Sequence, residues 1–147
     1  MKKISVIILL LTACLFSQAQ ILHPVKWAYG AKKLNSKEAV IFIKATIDDG
    51  WHIYSAYQKE GGPVPTSFAF APGSFHLTGN IIEPTPKTRF EDAFNMNVSY
   101  FENSVIFQQQ IKLYEKKTVV NGSLKFMCCN DHQCLAPETV SFSVPIN

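Results

Sequence analysis

The chain has 147 residues, a formal net charge of +3 and only 17% charged side chains. That length suits one domain, and a nearly balanced charge without a basic cluster argues against a nucleic-acid partner. After the N-terminal segment, no apolar run is long enough to cross a membrane.

Residues 1–19 are typical of a secretory signal segment. Two lysines precede an apolar run over residues 4–11, and small residues lead to a cleavage point after Ala19. A second interpretation is a lipoprotein signal, because the sequence Leu-Thr-Ala-Cys ending at Cys14 fits a lipobox, with a lipid anchor on that cysteine. Both interpretations predict a periplasmic or otherwise exported protein, in which disulfides can form.

Residues 20–147 are predicted to form one all-β domain. Strands are predicted, in chain order, over residues 25–33, 39–47, 51–55, 66–70, 75–82, 105–113, 118–129 and 140–146. Apolar and polar residues alternate most regularly in the second, sixth and last of these, which is typical of strands with one buried face. Asn121-Gly122 favours a hairpin tip inside the seventh segment. Short strands with regular turn signals predict a β-sandwich.

Three cysteines follow the signal segment. Strand parity, the alternation of side chains between the two faces of a strand, assigns two of them to different faces. Leu124, Phe126 and Cys128 share one face of a predicted strand, and the two apolar residues indicate that this face is the core. Cys129 then points to the opposite face. The polar loop that follows can return Cys134 to it at the spacing of a disulfide. Parity therefore predicts a Cys129–Cys134 pair and a buried Cys128.

Residue chemistry leaves three interpretations of this cluster open. A purely structural disulfide would close a short loop and would stabilise the fold by ~3 kcal/mol or less. A metal site would use Cys128, Cys129, His132 and Cys134 as soft or borderline ligands, and it requires Cys128 to face the loop. A redox-active pair is the third interpretation. In that case a cationic His132 would favour a neighbouring thiolate.

Three segments of the sequence carry a family resemblance. They are residues 49–54 (Asp-Gly-Trp-His-Ile-Tyr) followed by Gly62-Pro63, residues 91–95 (Glu-Asp-Ala-Phe-Asn), and residues 129–138, from the cysteine pair through Leu-Ala-Pro-Glu. Together they resemble the periplasmic N-terminal, or alpha, domain of the disulfide reductase DsbD. The resemblance implies an immunoglobulin-like β-sandwich. It also implies that Cys129 and Cys134 are the redox pair. We expect no cofactor and no bound metal.

The same resemblance assigns roles around that pair. It implies that Cys134 forms the mixed disulfide with partners, and that Cys129 resolves it. Phe94, with Asp92 before it, corresponds to an aromatic residue of a cap loop that lies over the disulfide. Tyr54 corresponds to a tyrosine that lines the site. His52 stands where a further aromatic residue is expected, and we predict it to be an exposed strand histidine.

The function implied by the resemblance is an electron relay. Electrons would come from a thioredoxin-like domain or a membrane disulfide reductase and pass to oxidised exported proteins. The chain ends after the predicted sandwich, so this partner is expected to be a separate polypeptide and the domain one component of a protein-disulfide reductase. The alternative is an immunoglobulin-like binding module with a structural disulfide.

Overall fold

The structure, a computed structural model, describes residues 22–147, and these residues form eleven antiparallel strands. The strands are β1 (Val25–Lys33), β2 (Glu38–Ile47), β3 (His52–Tyr54), β4 (Ser67–Phe70), β5 (Phe75–Ile82), β6 (Lys87–Glu91), β7 (Met96–Glu102), β8 (Ser104–Leu113), β9 (Thr118–Phe126), β10 (Cys128–Cys129) and β11 (Glu138–Ile146). The predicted signal segment, residues 1–19, and the alternative lipid anchor at Cys14 lie outside the described residues. Within 22–147 no helix has the length and apolarity needed to cross a membrane.

The strands form three sheets around one main core. Their orders are β1-β2-β8-β5, β10-β3-β7-β6 and β11-β9-β4. Each sheet contributes apolar side chains to this core, among them Ile43 and Phe107 from the first, Ile53 and Phe101 from the second, and Leu124 and Phe142 from the third. The all-β class and the sandwich arrangement predicted from the alternating pattern are therefore confirmed.

β2 and β8, the two central strands of the first sheet, show the period-two alternation of strands with one buried face. Ile41, Ile43 and Ala45 of β2 are fully buried, and each is separated from the next by a side chain on the other face. In β8, Phe107 is fully buried, and its ring centroid lies 5.0 Å from that of Phe68. Burial of these rows removes apolar surface from water, which is the main favourable term in folding.

The hairpin formed by β6 and β7 is absent from the strands predicted from the sequence. Its two strands pair antiparallel from Lys87 opposite Tyr100 to Glu91 opposite Met96. β6 has a single large apolar residue, so its alternation is weak, and Asn95 and Asn97, which favour turns, lie on either side of the first residue of β7. The hairpin forms because β7 also pairs with β3, which is distant in sequence. We call residues 87–102 the cap hairpin.

Gly122 lies in the middle of β9, so the predicted hairpin tip at Asn121-Gly122 is wrong. β9 is the central strand of the third sheet, and Gly122 pairs with Phe142 on one side and Phe70 on the other. A Cβ atom added to Gly122 would lie 2.4 Å from the Ala69 carbonyl oxygen and 2.5 Å from a ring carbon of Phe142. The glycine is needed because a neighbouring strand and an aromatic ring approach its backbone closely.

Gly122→Ala should therefore lower the free energy of unfolding by about 1–3 kcal/mol, the usual cost of overpacking. The matched control is Gly30→Ala in β1, where an added Cβ has nothing within 4 Å. Urea denaturation of both variants measures the difference. Equal midpoints would show that β4 and Phe142 can move aside without cost.

Candidate functional site

The second sheet separates the adjacent cysteines onto two faces. Residues directly opposite each other in an antiparallel pair point to the same side of a sheet. Cys128 pairs with Ile53, which pairs in turn with Phe101, and all three belong to the main core. Cys129 pairs with His52, so both lie on the opposite face. We call this second face, away from the core, the site face.

A disulfide joins Cys129 to Cys134, with the two Cα atoms 4.0 Å apart. This is the pairing that strand parity predicts. Cys129 is fully buried, whereas Cys134 is exposed. One end of the bond therefore lies inside the domain and the other at its surface.

Asn130 organises the loop between the two cysteines, residues 130–133, which we call the cysteine loop. Its backbone N–H donates to the Gln133 carbonyl at 2.9 Å. Its side-chain Oδ1 accepts from the backbone N–H groups of His132 at 2.9 Å and Gln133 at 2.8 Å. This asparagine turn reverses the chain, so Cys134 forms an antiparallel bridge with Cys129. His132 itself is exposed in the loop, and its predicted influence on a thiolate stays a prediction.

Cys128 is a buried thiol directed into the core. Burial raises the pKa of the Cys128 thiol to about 12, so this group stays protonated and a poor nucleophile near neutral pH. The metal interpretation required Cys128 to face the cysteine loop, and its orientation does not meet that requirement. Across residues 22–147, no group of three or more His, Cys, Asp or Glu side chains is arranged to hold a metal ion.

Phe94 lies in the turn of the cap hairpin, between β6 and β7. Its backbone N–H donates to the Glu91 carbonyl at 3.1 Å, and the N–H of Asn95 donates to the Asp92 carbonyl at 3.2 Å. Asn95 adopts a left-handed conformation with φ 51°, which asparagine tolerates better than most residues. Asp92 is exposed on the same turn.

The Phe94 side chain is half-buried against the cluster that contains the buried cysteine. That cluster consists of Tyr54, Val98 and Cys129, with partly buried neighbours Phe94, Met96, Tyr100 and Met127. The rings of Phe94 and Tyr54 are nearly perpendicular, with centroids 6.3 Å apart. The structure therefore brings Tyr54 and Phe94 together with Cys129, as the resemblance implies.

His52 is buried on the site face, so the prediction of an exposed histidine is wrong. Only 2% of it is exposed, because the ring of Tyr100 lies against it, with centroids 5.4 Å apart, and Arg89 reaches over it. Burial, and then the charge of Arg89, lower the pKa of His52. The ring is therefore neutral at neutral pH, and its Nε2 can accept a hydrogen bond from Arg89, whose Nη2 lies 3.2 Å away.

Tyr54 connects this histidine to a carboxylate. Its hydroxyl lies 3.2 Å from His52 Nε2 and donates to Glu91 at 3.5 Å. Burial, and then the negative charge of Glu91, raise the pKa of Tyr54. The phenol therefore stays protonated and serves as a hydrogen-bond donor next to the cysteine cluster.

Arg89 belongs to this site but was not predicted from the sequence. It pairs with Glu91, with Nη2 and Oε1 3.4 Å apart, and its guanidinium carbon lies 4.9 Å from the centroid of the Tyr100 ring. Its other terminal nitrogen, Nη1, lies 3.5 Å from Oδ1 of Asp131 in the cysteine loop. Arg89 and Glu91 are two residues apart, so they lie on the same face of a strand. The sequence indicates this only if β6 is recognised as a strand.

Two solved structures share the fold of this chain. One is the N-terminal periplasmic domain of ScsB from Proteus mirabilis, with a TM-score of 0.53 and 16% identity over 86% of this chain and 49% of that chain. The chain thus spans about half the length of that structure. The other is the complex between the DsbD N-terminal and PilB N-terminal domains from Neisseria meningitidis, with a TM-score of 0.54 and 12% identity over 84% of this chain and 87% of that chain. The predicted immunoglobulin-like β-sandwich is confirmed.

A comparison with curated proteins found no match. The family model for the N-terminal region of thiol:disulfide interchange protein DsbD, however, matches residues 18–146. The match includes all eleven strands, the cap hairpin and the cysteine loop. It confirms the resemblance seen in the three sequence segments, and the chain belongs to the DsbD N-terminal domain family.

Proposed function

We propose that this domain is an exported electron relay in which Cys129 and Cys134 alternate between a disulfide and two thiols. The observation that carries the proposal is the unequal burial of the pair. Cys134 lies exposed at the surface of the domain, whereas Cys129 is fully buried. Thiol–disulfide exchange depends on which sulfur is accessible to attack, so this asymmetry gives the two cysteines different roles.

Reduction of the domain follows from that asymmetry. A donor thiolate attacks the Cys134 sulfur, a mixed disulfide forms, and Cys129 leaves as a thiolate that takes up a proton. The second donor thiol, after losing its proton, attacks the donor sulfur of the mixed disulfide. Cys134 is released as a thiolate, and the donor leaves as a disulfide. Two electrons pass to the domain in this exchange.

Reduction of a client runs in the opposite sense. The Cys134 thiolate attacks the client's disulfide and releases one client thiolate. Cys129 then loses its proton and attacks Cys134, which releases the second client thiolate and restores the Cys129–Cys134 bond. Cys128 takes no part, because it lies on the core face of the sheet.

The partners and the location are proposed by analogy with the family. The related DsbD domain of Neisseria meningitidis forms a complex with a PilB domain, and the related ScsB domain is periplasmic. These likenesses support a thioredoxin-like domain or membrane reductase as the donor, oxidised exported proteins as clients, and an exported location. Residues 1–19 would direct export as a cleaved signal, or residues 1–13 would do so as a lipoprotein signal whose removal leaves Cys14 to carry the lipid anchor.

We also propose that Phe94 protects the pair between exchanges. A reduced pair in an oxidising compartment loses its electrons to small oxidants unless access to it is restricted. Phe94 packs against the cluster that contains Cys129. Its neighbours in the turn, Asp92, Ala93 and Asn95, are exposed at the surface. Such a turn can move aside without disturbing the main core.

Titration of the folded domain against glutathione buffers tests the proposed function. We expect reversible reduction with a midpoint above about −300 mV, because structural disulfides usually lie below that potential. Thiol labelling followed by mass spectrometry measures the fraction reduced, and near-ultraviolet circular dichroism reports the fold. A disulfide that stays intact until the domain unfolds would support the binding module with a structural disulfide instead.

Serine variants should distinguish the two sulfurs. The probe is a thioredoxin whose resolving cysteine is replaced and whose remaining cysteine is activated as a mixed disulfide with thionitrobenzoate. Cys129→Ser leaves the exposed Cys134 thiol, which should form the covalent complex and release thionitrobenzoate. Cys134→Ser leaves the buried Cys129 thiol, which should react at least about tenfold more slowly, equivalent to roughly 1.4 kcal/mol of activation free energy. Absorbance measures the rates, and equal rates would contradict the assigned roles.

Phe94→Ala should speed alkylation of the reduced pair by iodoacetamide while the domain stays folded. The matched control is Phe90→Ala, which removes an equal ring from the same hairpin, because Phe90 is 55% exposed and lies outside the cysteine cluster. Mass spectrometry measures the alkylation rate, and thermal denaturation measures stability. An unchanged rate with a loss of about 3–5 kcal/mol would show instead that Phe94 is a core residue.

A further inference from the structure

The cap hairpin contacts the cysteine side of the site in two chemically different ways. The first contact is apolar, where Phe94 packs against the cluster around Cys129. The second is ionic, where Arg89 of β6 pairs with Asp131 of the cysteine loop. Between the two elements lies a groove of about 320 Å³, lined by residues 89–93 on one side and by Asn130 and Asp131 on the other. The ion pair joins these two walls.

The two ends of this ion pair differ in their surroundings. Arg89 is held by His52 at 3.2 Å, by Glu91 at 3.4 Å and by the face of Tyr100, and 32% of its side chain is exposed. Asp131 is 80% exposed, on the loop between the two cysteines. The guanidinium is therefore a fixed point on the hairpin, and the loop is the part that it positions.

We propose that Arg89 is a positioning residue that, through Asp131, latches the cysteine loop to the cap hairpin and limits access to the Cys129–Cys134 bond. The inference rests on the proposed function, since a latch matters only if partners attack this bond. An ion pair with an exposed partner is weak, because water and salt screen it. A weak latch can be displaced by a docking protein, yet it keeps the groove narrow when no partner is bound.

Reduction of the oxidised domain by dithiothreitol tests the latch directly. A dithiothreitol thiolate attacks one sulfur of the disulfide and displaces the other as a thiolate. Its second thiol, after losing its proton, attacks the dithiothreitol sulfur of this mixed disulfide, which releases the remaining cysteine as a thiolate and forms cyclic dithiothreitol disulfide. We compare Asp131→Asn, Arg89→Gln and the double variant with the wild type. Each single variant should be reduced about two- to fivefold faster, the size expected from loss of an exposed ion pair. The double variant should be no faster than the faster single variant, because both changes break the same contact.

The signs of the two single effects separate a latch from a simple charge effect. Asp131→Asn removes a negative charge and Arg89→Gln removes a positive one. The attacking thiolate is an anion, so charge alone would accelerate the first variant and slow the second. A latch accelerates both. Arg89→Lys keeps the positive charge, and its rate should lie between those of Arg89→Gln and the wild type.

Lys87→Gln is the matched control for the loss of one positive charge on β6. Lys87 forms an ion pair with Glu102 across the cap hairpin, not with the cysteine loop, so its replacement should leave the rate unchanged. Thermal denaturation checks that each variant is folded. If Arg89→Gln does not fold, Arg89→Lys carries the test together with Asp131→Asn, because a latch accelerates both variants whereas charge alone leaves Arg89→Lys unchanged.

The outcomes distinguish the latch from the function on which it rests. Rates that change in opposite directions, or that do not change, overturn the latch while the relay stands. Equal acceleration in Lys87→Gln also overturns it, because the effect would then come from loss of the hairpin's own stability. A wild-type disulfide that resists dithiothreitol in the folded domain overturns the relay and the latch together.

Discussion

The site depends on the alternation of side chains across the two-residue strand β10. Because neighbouring residues of a strand point to opposite faces, Cys128 enters the main core and Cys129 enters the site face. The pairing of β10 with β3 extends this separation to the neighbouring strand. Ile53 lies on the core face with Cys128, and His52 lies on the site face with Cys129. A shift of one residue in this short pairing would place Cys129 in the core and Cys128 on the site face. The strand register therefore decides which cysteine can form the disulfide with Cys134.

The site face tolerates buried polar groups because they satisfy one another. A buried charge or hydroxyl without a partner is costly, and here the guanidinium of Arg89, the carboxylate of Glu91 and the hydroxyl of Tyr54 form one connected set. His52 completes the set as a neutral acceptor, since burial and the adjacent guanidinium disfavour its charged form. This network fixes the geometry of the side chains next to Cys129 while it leaves Cys134 at the surface.

Local patterns in the sequence were sufficient to predict most strands and the disulfide, but not the burial of His52 or the extended conformation at Asn121-Gly122. Alternation located most strands, and the parity of Leu124, Phe126 and Cys128 anticipated both the disulfide and the buried thiol. Long-range pairing accounts for what was missed. His52 is buried because Arg89 and Tyr100, from strands distant in the chain, cover it. Likewise, Asn121-Gly122 has the composition of a turn, but partners on both sides of β9 hold it extended.

The hydrogen bonds of the cysteine loop have a consequence for the lifetime of a mixed disulfide. Asn130 holds His132 and Gln133 through its side chain, and the backbone N–H of Leu135 donates to the Cys128 carbonyl at 2.9 Å. None of these bonds has a sulfur atom as donor or acceptor, so opening the disulfide removes none of them directly. Cys129 would then remain next to Cys134 at a high effective concentration, and its attack becomes an intramolecular step that a second external thiol cannot easily match. A loop shaped by its amides, rather than by its disulfide, therefore favours rapid release of each partner.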